Sequence, residues 1–290
     1  MKLAIIAHTD RYTVKPYLMS VLSWCEENLS SGLVTRSLYE LATKRYCDTM
    51  TILDSEQAAV ESADLVVAIG GDGTMLHATQ LTLGLDKDIL GINCGRLGFM
   101  ANIQLEQISD ALDAALKQNY LLDERSMLKA TVNGSQTHHA LNEFLFTKKD
   151  TTSLITITAQ YNQMLVNRYW ADGILVSTPT GSTAYNLSSG GPIVMPGTPV
   201  MTLTPINPHT LTTRPLVLPS DKVLTITVEE EPEHILLSRD GTIIDINSGP
   251  VTVEIQRSEH TIKLIQLPGQ NYFDTLRTKL MWGLDSRKKR

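Results

Sequence analysis

Residues 64–77 read Asp-Leu-Val-Val-Ala-Ile-Gly-Gly-Asp-Gly-Thr-Met-Leu-His, the stretch of the chain whose residue types and order are best suited to chemistry. The apolar run 65–69 stops at Gly70 and Gly71, where the backbone can turn tightly and a ligand can approach the main chain. Residues 74–83 have the composition of a helix, whose first N–H groups would point at an anion. Asp72 stands inside this turn. A carboxylate repels phosphate, so its place there suits accepting a proton from a hydroxyl or reaching a metal ion. Together these features point to phosphoryl transfer to an alcohol, although Gly-Gly-Asp-Gly by itself also fits a plain strand-to-helix turn with a capping Asp.

A second constellation lies at 170–192, Trp-Ala-Asp-Gly-Ile-Leu-Val-Ser-Thr-Pro-Thr-Gly-Ser-Thr-Ala-Tyr-Asn-Leu-Ser-Ser-Gly-Gly-Pro. So dense a run of Ser, Thr and Gly beside Asp172 supplies many small donors and reads as a ligand cradle. Upstream, Asn142 and Glu143 interrupt the apolar run 140–146 with an amide and a carboxylate, a pair able to recognise a sugar diol. Asp240-Gly241 has the chemistry of a hairpin turn.

These residues need a scaffold. The run 65–69 is short, uninterrupted and rich in β-branched residues, as expected for a strand buried on both faces of a parallel sheet. Strands are predicted at 3–7, 50–53, 65–69 and 89–93, and helices at 17–29, 56–63, 74–83 and 104–120. The last carries an apolar stripe of Ile108, Leu112, Ala115 and Leu116. Strands alternating with helices imply a doubly wound parallel sheet that binds ligands at the carboxyl ends of its strands, where the glycine turns at Gly70 and Gly95 fall. From about residue 122 the pattern changes to short strand-like runs broken by Gly, Pro, Asn and Asp: 128–133, 139–147, 154–161, 163–169, 173–177, 223–228, 234–238 and 251–256. A helix is predicted at 271–282, returning to the first domain. The expected organisation is therefore an α/β domain at 1–121, a mainly-β domain at 122–268, and a C-terminal helix with a basic tail at 269–290.

The chain has 290 residues, enough for one large or two modest domains. Its formal net charge of −6, with no long basic face, argues against nucleic-acid binding. The three cysteines, Cys25, Cys47 and Cys94, are scattered without metal-ligand spacing, as expected of reduced thiols in a cytoplasmic protein. The apolar run near the N-terminus is too short for a signal peptide or membrane span and reads as a first strand.

The order and spacing of four segments resemble the NAD kinase family along most of the chain. They are Gly70-Gly71-Asp72-Gly73-Thr74; Asn142-Glu143; Asp172-Gly173 with Ser177-Thr178-Pro179-Thr180-Gly181-Ser182-Thr183-Ala184-Tyr185; and Pro205-Ile206-Asn207-Pro208-His209-Thr210-Leu211 with Arg214-Pro215-Leu216. The first motif is shared with diacylglycerol and sphingosine kinases, and in variant form with phosphofructokinases; the Thr-Pro-Thr-Gly-Ser-Thr-Ala-Tyr segment is the more specific. The resemblance implies a Rossmann-like N-terminal domain, a C-terminal β-sandwich, a homodimer or homotetramer, and ATP-dependent phosphorylation of the adenosine ribose 2′-hydroxyl of NAD. It further implies Asp72 as proton acceptor, Gly70, Gly71, Gly73 and Thr74 as the ATP phosphate loop, and Gly73 and His77 approaching NAD. Asn142 and Glu143 would bind its ribose, and Asp172 with Thr183, Ala184, Tyr185, Asn186, Leu187 and Ser188 would line the dinucleotide site. Trp170, where many members have a basic residue, and Thr242, where a Gln is common, depart from the family pattern.

Phosphoryl transfer asks mainly for positioning and for neutralisation of phosphate charge, supplied by Mg²⁺ and by glycine-loop amides. The expected metal is held by phosphates and water rather than by protein ligands. A lipid kinase sharing the glycine motif would show an acyl tunnel or a membrane-facing patch, and the composition offers neither. A non-catalytic dinucleotide sensor would not need Asp72.

Overall fold

Short apolar strands alternating with helices give the N-terminal region its parallel sheet. In the computed structural model, which describes residues 1–7, 11–42, 44–95, 98–149, 152–246 and 250–282, the elements begin β1 (Lys2–Ala7), α1 (Arg11–Glu27), β2 (Ser31–Val34), α2 (Arg36–Leu41) and β3 (Met50–Ile52). They continue with α3 (Glu56–Ser62), β4 (Leu65–Gly70), α4 (Asp72–Leu81), β5 (Asp88–Asn93) and α5 (Ile108–Leu116). The strands lie in the order β5-β4-β1-β2-β3, every neighbour parallel. All six residues of β4 are buried, as its unbroken apolar run requires. Strand β2 is absent from the sequence expectation, because its four residues begin Ser-Gly and include no β-branched run. Helix α1 begins at Arg11, ahead of the expected 17, and carries Pro16 inside it. The helix expected over 104–120 is shorter: a 3₁₀ turn at Leu105–Gln107 precedes α5, and Leu116 is 42 % exposed rather than part of the buried stripe.

The second region is built of β6 (Leu121–Val132), β7 (Gln136–Ala140), β8 (Glu143–Lys148), β9 (Ile155–Tyr161), β10 (Met164–Ala171) and β11 (Gly173–Ser177). The one-turn helix α6 (Tyr185–Ser188) follows, then β12 (Val200–Ile206), β13 (Leu216–Pro219), β14 (Leu224–Val228), β15 (Ile235–Arg239), β16 (Thr242–Ile244) and the long β17 (Val251–Gln266). One antiparallel sheet runs β13-β12-β11-β8-β15-β16, and a second group runs β10-β9-β14-β17. Phe144, Phe146, Ile174, Val176 and Leu203 from the first share a core with Ile157, Ala159, Ile226, Val253 and Ile255 from the second. Strands β9 and β14 alternate buried and half-buried residues, the period-two pattern of a sheet with one face in a sandwich core. The single strand expected at 139–147 is two, because the chain breaks at Leu141 and Asn142.

By its contacts the chain divides into Met1–Glu124 with Ile262–Arg290, and Arg125–Thr261. In the first unit the end of β17 lies parallel to β5, with Lys263 beside Asp88 and Leu264 beside Ile89. Helix α7 (Tyr272–Leu280) follows, started by the Asn271 side chain accepting from the Asp274 N–H at 3.0 Å. It returns to the N-terminal elements. Lys279 lies over the Phe99 ring, and Gln270 accepts from the Asn102 amide at 3.1 Å. The fold is thus an α/β N-terminal domain and a mainly-β C-terminal domain, with a C-terminal helix. His8, Arg96, Leu97 and the basic tail 287–290 lie outside the described residues.

Candidate active site

In the first unit β4 delivers its carboxyl end to Gly70, and α4 starts two residues later. Asp72 is therefore in the first turn of the helix, not in the turn before it, with Gly71 as the extended residue that caps it. A negative side chain is favoured there by the helix dipole. Its two oxygens also accept main-chain hydrogen bonds, Oδ2 from the Phe99 N–H and Oδ1 from the Met100 N–H, both at 3.1 Å. The segment that donates them must come very close: a Cβ on Gly98 would lie 2.4 Å from Asp72 Oδ1. Thr74 is buried and folds back on Gly70, where a Cβ would meet its hydroxyl at 2.1 Å. Gly71 and Gly73 differ from these two. Both are exposed, and a Cβ on either would meet nothing within 4 Å. Among the described residues the space over them is open, as a loop that receives a ligand requires. His77, one turn further along α4, is exposed and lies 2.6 Å from Glu56.

In the second unit three segments far apart in sequence meet. The Asp240-Gly241 turn joins β15 to β16 with both residues at positive φ, 45° and 79°, as a two-residue hairpin loop demands. Beyond that turn role, the Asp240 carboxylate accepts from the N–H groups of Leu141, Asn142 and Glu143, at 2.8, 2.7 and 3.1 Å. It holds the break between β7 and β8 in place. The Ser/Thr-rich turn clamps the same segment from the other side. Thr178 Oγ1 donates to the Leu141 carbonyl at 2.6 Å, the Thr178 N–H donates to the Asn142 carbonyl at 2.9 Å, and a Cβ on Gly181 would overlap that carbonyl.

Glu143 is left in a demanding position. Among the described residues its buried Oε2 has no hydrogen-bond partner, and burial followed by the nearby Asp240 charge pushes its carboxyl up to about 8. Burial raises Asp240 too, opposed but not reversed by its three N–H donors and by Arg239. Glu143 is then a protonated carboxylic acid at neutral pH, a donor as well as an acceptor.

The expected hydroxyl cradle is mostly turned inward. Ser177, Thr178, Ser182 and Thr183 donate to carbonyls of their own neighbourhood, so these hydroxyls build the turn rather than line an open space. Asn186 is fully buried. Its amide donates to the carbonyls of Ser182 and Pro192, and its Oδ1 accepts from Thr202 and Thr204. Thr183, Ala184 and Leu187 are half-buried, and Tyr185 and Ser188 are exposed, on the short α6 that Asn186 anchors. Asp172 joins β10 to β11, bound by Lys148 at 2.7 Å and Asn207 at 3.0 Å, which hold its carboxyl below the ordinary range. Trp170 packs against His209 with the rings tilted at 39°, centroids 4.8 Å apart, and Thr242 opens β16 on the exposed side.

Two family models match the chain: the ATP-NAD kinase N-terminal domain over residues 3–120 and the ATP-NAD kinase C-terminal domain over 141–267. The chain belongs to the NAD kinase family. It is 37 % identical to the NAD kinase of Flavobacterium johnsoniae, covering 99 % of this chain and all of that one. It is 39 % identical to that of Geobacter metallireducens, covering 97 % and 99 %. Among solved structures, yeast NADH kinase complexed with NADH superposes with a TM-score of 0.89 at 21 % identity, covering all of this chain and 90 % of that one. An NAD kinase from Archaeoglobus fulgidus in complex with ATP gives 0.76 at 22 % identity, covering 97 % and 99 %. At such identities the likeness is one of fold.

For an NAD kinase, sequence reasoning found the glycine loop and both Ser/Thr-rich and Asn-Glu segments, but missed Gly98 and the clamp that Asp240 makes. Gly98 stands after a strand, where glycine is common. Asp240 looked complete as a hairpin residue, and nothing local says that its carboxylate faces residues about a hundred positions away.

Proposed function

We propose that the chain transfers the terminal phosphoryl group of ATP to the 2′-hydroxyl of the adenosine ribose of NAD, giving NADP. The observation that carries this reading is Asp72, held between two backbone N–H groups beside the open glycines 71 and 73, in a chain of the NAD kinase family. A carboxylate is too weak a base to make an alkoxide in advance. Asp72 would take the hydroxyl proton as the phosphoryl group moves, while its bonds to Phe99 and Met100 keep its orientation. Gly70, Gly71, Gly73 and Thr74 form the phosphate loop, with bare main chain at the two open positions. Gly73 and His77 face the NAD, with His77 leaving or sharing Glu56.

Asn142 and Glu143 bind the ribose. The unpartnered Oε2 of Glu143 supports this, since a buried carboxylic acid oxygen costs free energy until a ligand hydroxyl meets it. Asp172 and residues 183–188 complete the dinucleotide site, with Asn186 acting from behind by fixing α6. Both Asp72 oxygens are engaged by N–H groups, a donor set that fits a divalent metal carried in by the phosphates of ATP better than one held by the protein. Bound there, Mg²⁺ would neutralise phosphate charge.

We place the enzyme in the cytoplasm as a homodimer or homotetramer. Among the described residues no helix is long and apolar enough to cross a membrane. Incubation with ATP and Mg²⁺ and either NAD, diacylglycerol or no acceptor tests the assignment. NADP formation is expected; phosphatidate formation, or NAD binding without turnover, would overturn it. Polyphosphate in place of ATP, run alongside, defines the donor.

A further inference from the structure

His139, Glu259 and His260 serve none of the roles given above, yet they meet at one place in the second unit. Each offers a ligand atom, and the three atoms lie within 4.8 Å of one another. His139 comes from β7, and Glu259 and His260 are consecutive on β17. The two imidazoles are 5.2 Å apart at 54°.

The surroundings order the ring of His139. It is buried, and its Nδ1 lies 2.9 Å from the hydroxyl of buried Ser258, which also accepts from the His260 N–H at 3.0 Å. A ligating histidine whose other nitrogen is fixed by a neighbouring oxygen is the arrangement that orients metal-bound imidazoles. Glu259 and His260 have side chains 55 % and 36 % exposed, leaving a route in from solvent and freedom to turn. Ligand atoms on a tetrahedral zinc stand roughly 3.4 Å apart, so a movement of about 1 Å would gather them. A cation is already present: Lys129 Nζ lies 3.4 Å from both Glu259 oxygens.

We propose that His139, Glu259 and His260 form a site for a divalent transition-metal ion of the zinc class, which displaces the Lys129 ammonium and takes water as its fourth ligand. Two imidazoles and one carboxylate make a three-ligand set suited to zinc and its neighbours, and unsuited to Mg²⁺ or Ca²⁺, which prefer oxygen. The ion would tie β7 to β17.

The test uses untagged, chelator-stripped protein titrated with Zn²⁺ against a chromophoric chelator, with Co²⁺ absorption as a second probe. One equivalent is expected to bind, with a four-coordinate Co²⁺ spectrum and no displacement by a hundredfold excess of Mg²⁺. His260→Ala is expected to weaken binding about tenfold or more, with Glu259→Gln also weaker; Glu259 is exposed and His260 half-buried, and melting in chelator confirms that both variants fold. Lys129→Met is expected to bind more tightly. Wild-type affinity no greater than that of His260→Ala, or a Lys129→Met variant that binds equally or less well, would overturn the site.

Discussion

Asp72 and Glu143 are carboxyl groups placed in opposite ways. Asp72 stands at a helix start and receives two backbone N–H donors, each 3.1 Å away, beside glycines with open space above them. Glu143 is buried with an unpartnered oxygen and a neighbouring Asp240 that takes the available N–H groups for itself. The second environment favours the neutral form, while the first fixes the orientation of its carboxyl through two N–H donors. One carboxyl is therefore suited to accept a proton during reaction and the other to donate a hydrogen bond to a sugar. The two environments also differ in origin. That of Asp72 comes from a contiguous glycine turn and one further loop, whereas that of Glu143 needs strands separated by about a hundred residues.

The largest effect is expected from Asp72→Asn, which keeps the shape and removes the proton acceptor. Turnover should fall by roughly 10² to 10⁴-fold, with NAD affinity measured by calorimetry changed only a few-fold. A variant with near wild-type NADP formation would remove Asp72 from its role as base.

Gly98→Ala tests whether the positioning of that carboxylate matters as well as its charge. The added methyl would stand 2.4 Å from Oδ1 and must push Asp72 aside. A fall in kcat of about 10 to 100-fold is expected, with KM for NAD nearly constant, since a displacement near 1 Å costs about that much. An unchanged kcat would show that the Phe99 and Met100 donors are dispensable.

On the other side of the comparison, Asp240→Ala leaves three N–H groups of 141–143 without their acceptor. Urea unfolding should report a loss of about 2 to 4 kcal/mol, on the scale of unsatisfied buried donors. A loss below about 0.5 kcal/mol would mean that water or another group replaces the clamp.

Glu143→Gln sharpens the contrast most directly. Because the folded carboxyl titrates near 8 and the unfolded one near 4.5, the folded state binds the extra proton between those values. Wild-type stability should therefore decline as pH rises from about 4.5 to about 8, by an amount on the order of a few kcal/mol, and level off above. Gln cannot ionise, so the variant's profile should be flatter across that window. Parallel profiles for the two proteins would show that Glu143 is ionised when folded.

Much of this was legible in residue order. The Leu65–Gly70 strand, its glycine turn and the following helix are local objects, specified by an apolar run, two flexible residues and a helix-forming segment. The antiparallel half was legible as short alternating runs. Strands β2, β12, β13 and β16 were not: β2 and β16 run only four and three residues, and β12 and β13 are interrupted or flanked by Pro199, Pro205, Pro215 and Pro219, which argue against a strand in sequence. Likewise, no feature of 177–188 announces that its hydroxyls turn inward or that Asn186 is wholly used in holding α6.

The sequence by itself determined the chemistry available: a carboxylate in a glycine turn, an Asn-Glu pair, a Ser/Thr-rich loop, and the two kinds of domain that carry them. Only the tertiary structure decided how each group is charged and held, because that depends on N–H donors and burial supplied by distant segments. Asp240 is the clearest case. Its neighbours in the chain specify a hairpin, while the three amides that make it a clamp reach it only after β8 and β15 have paired.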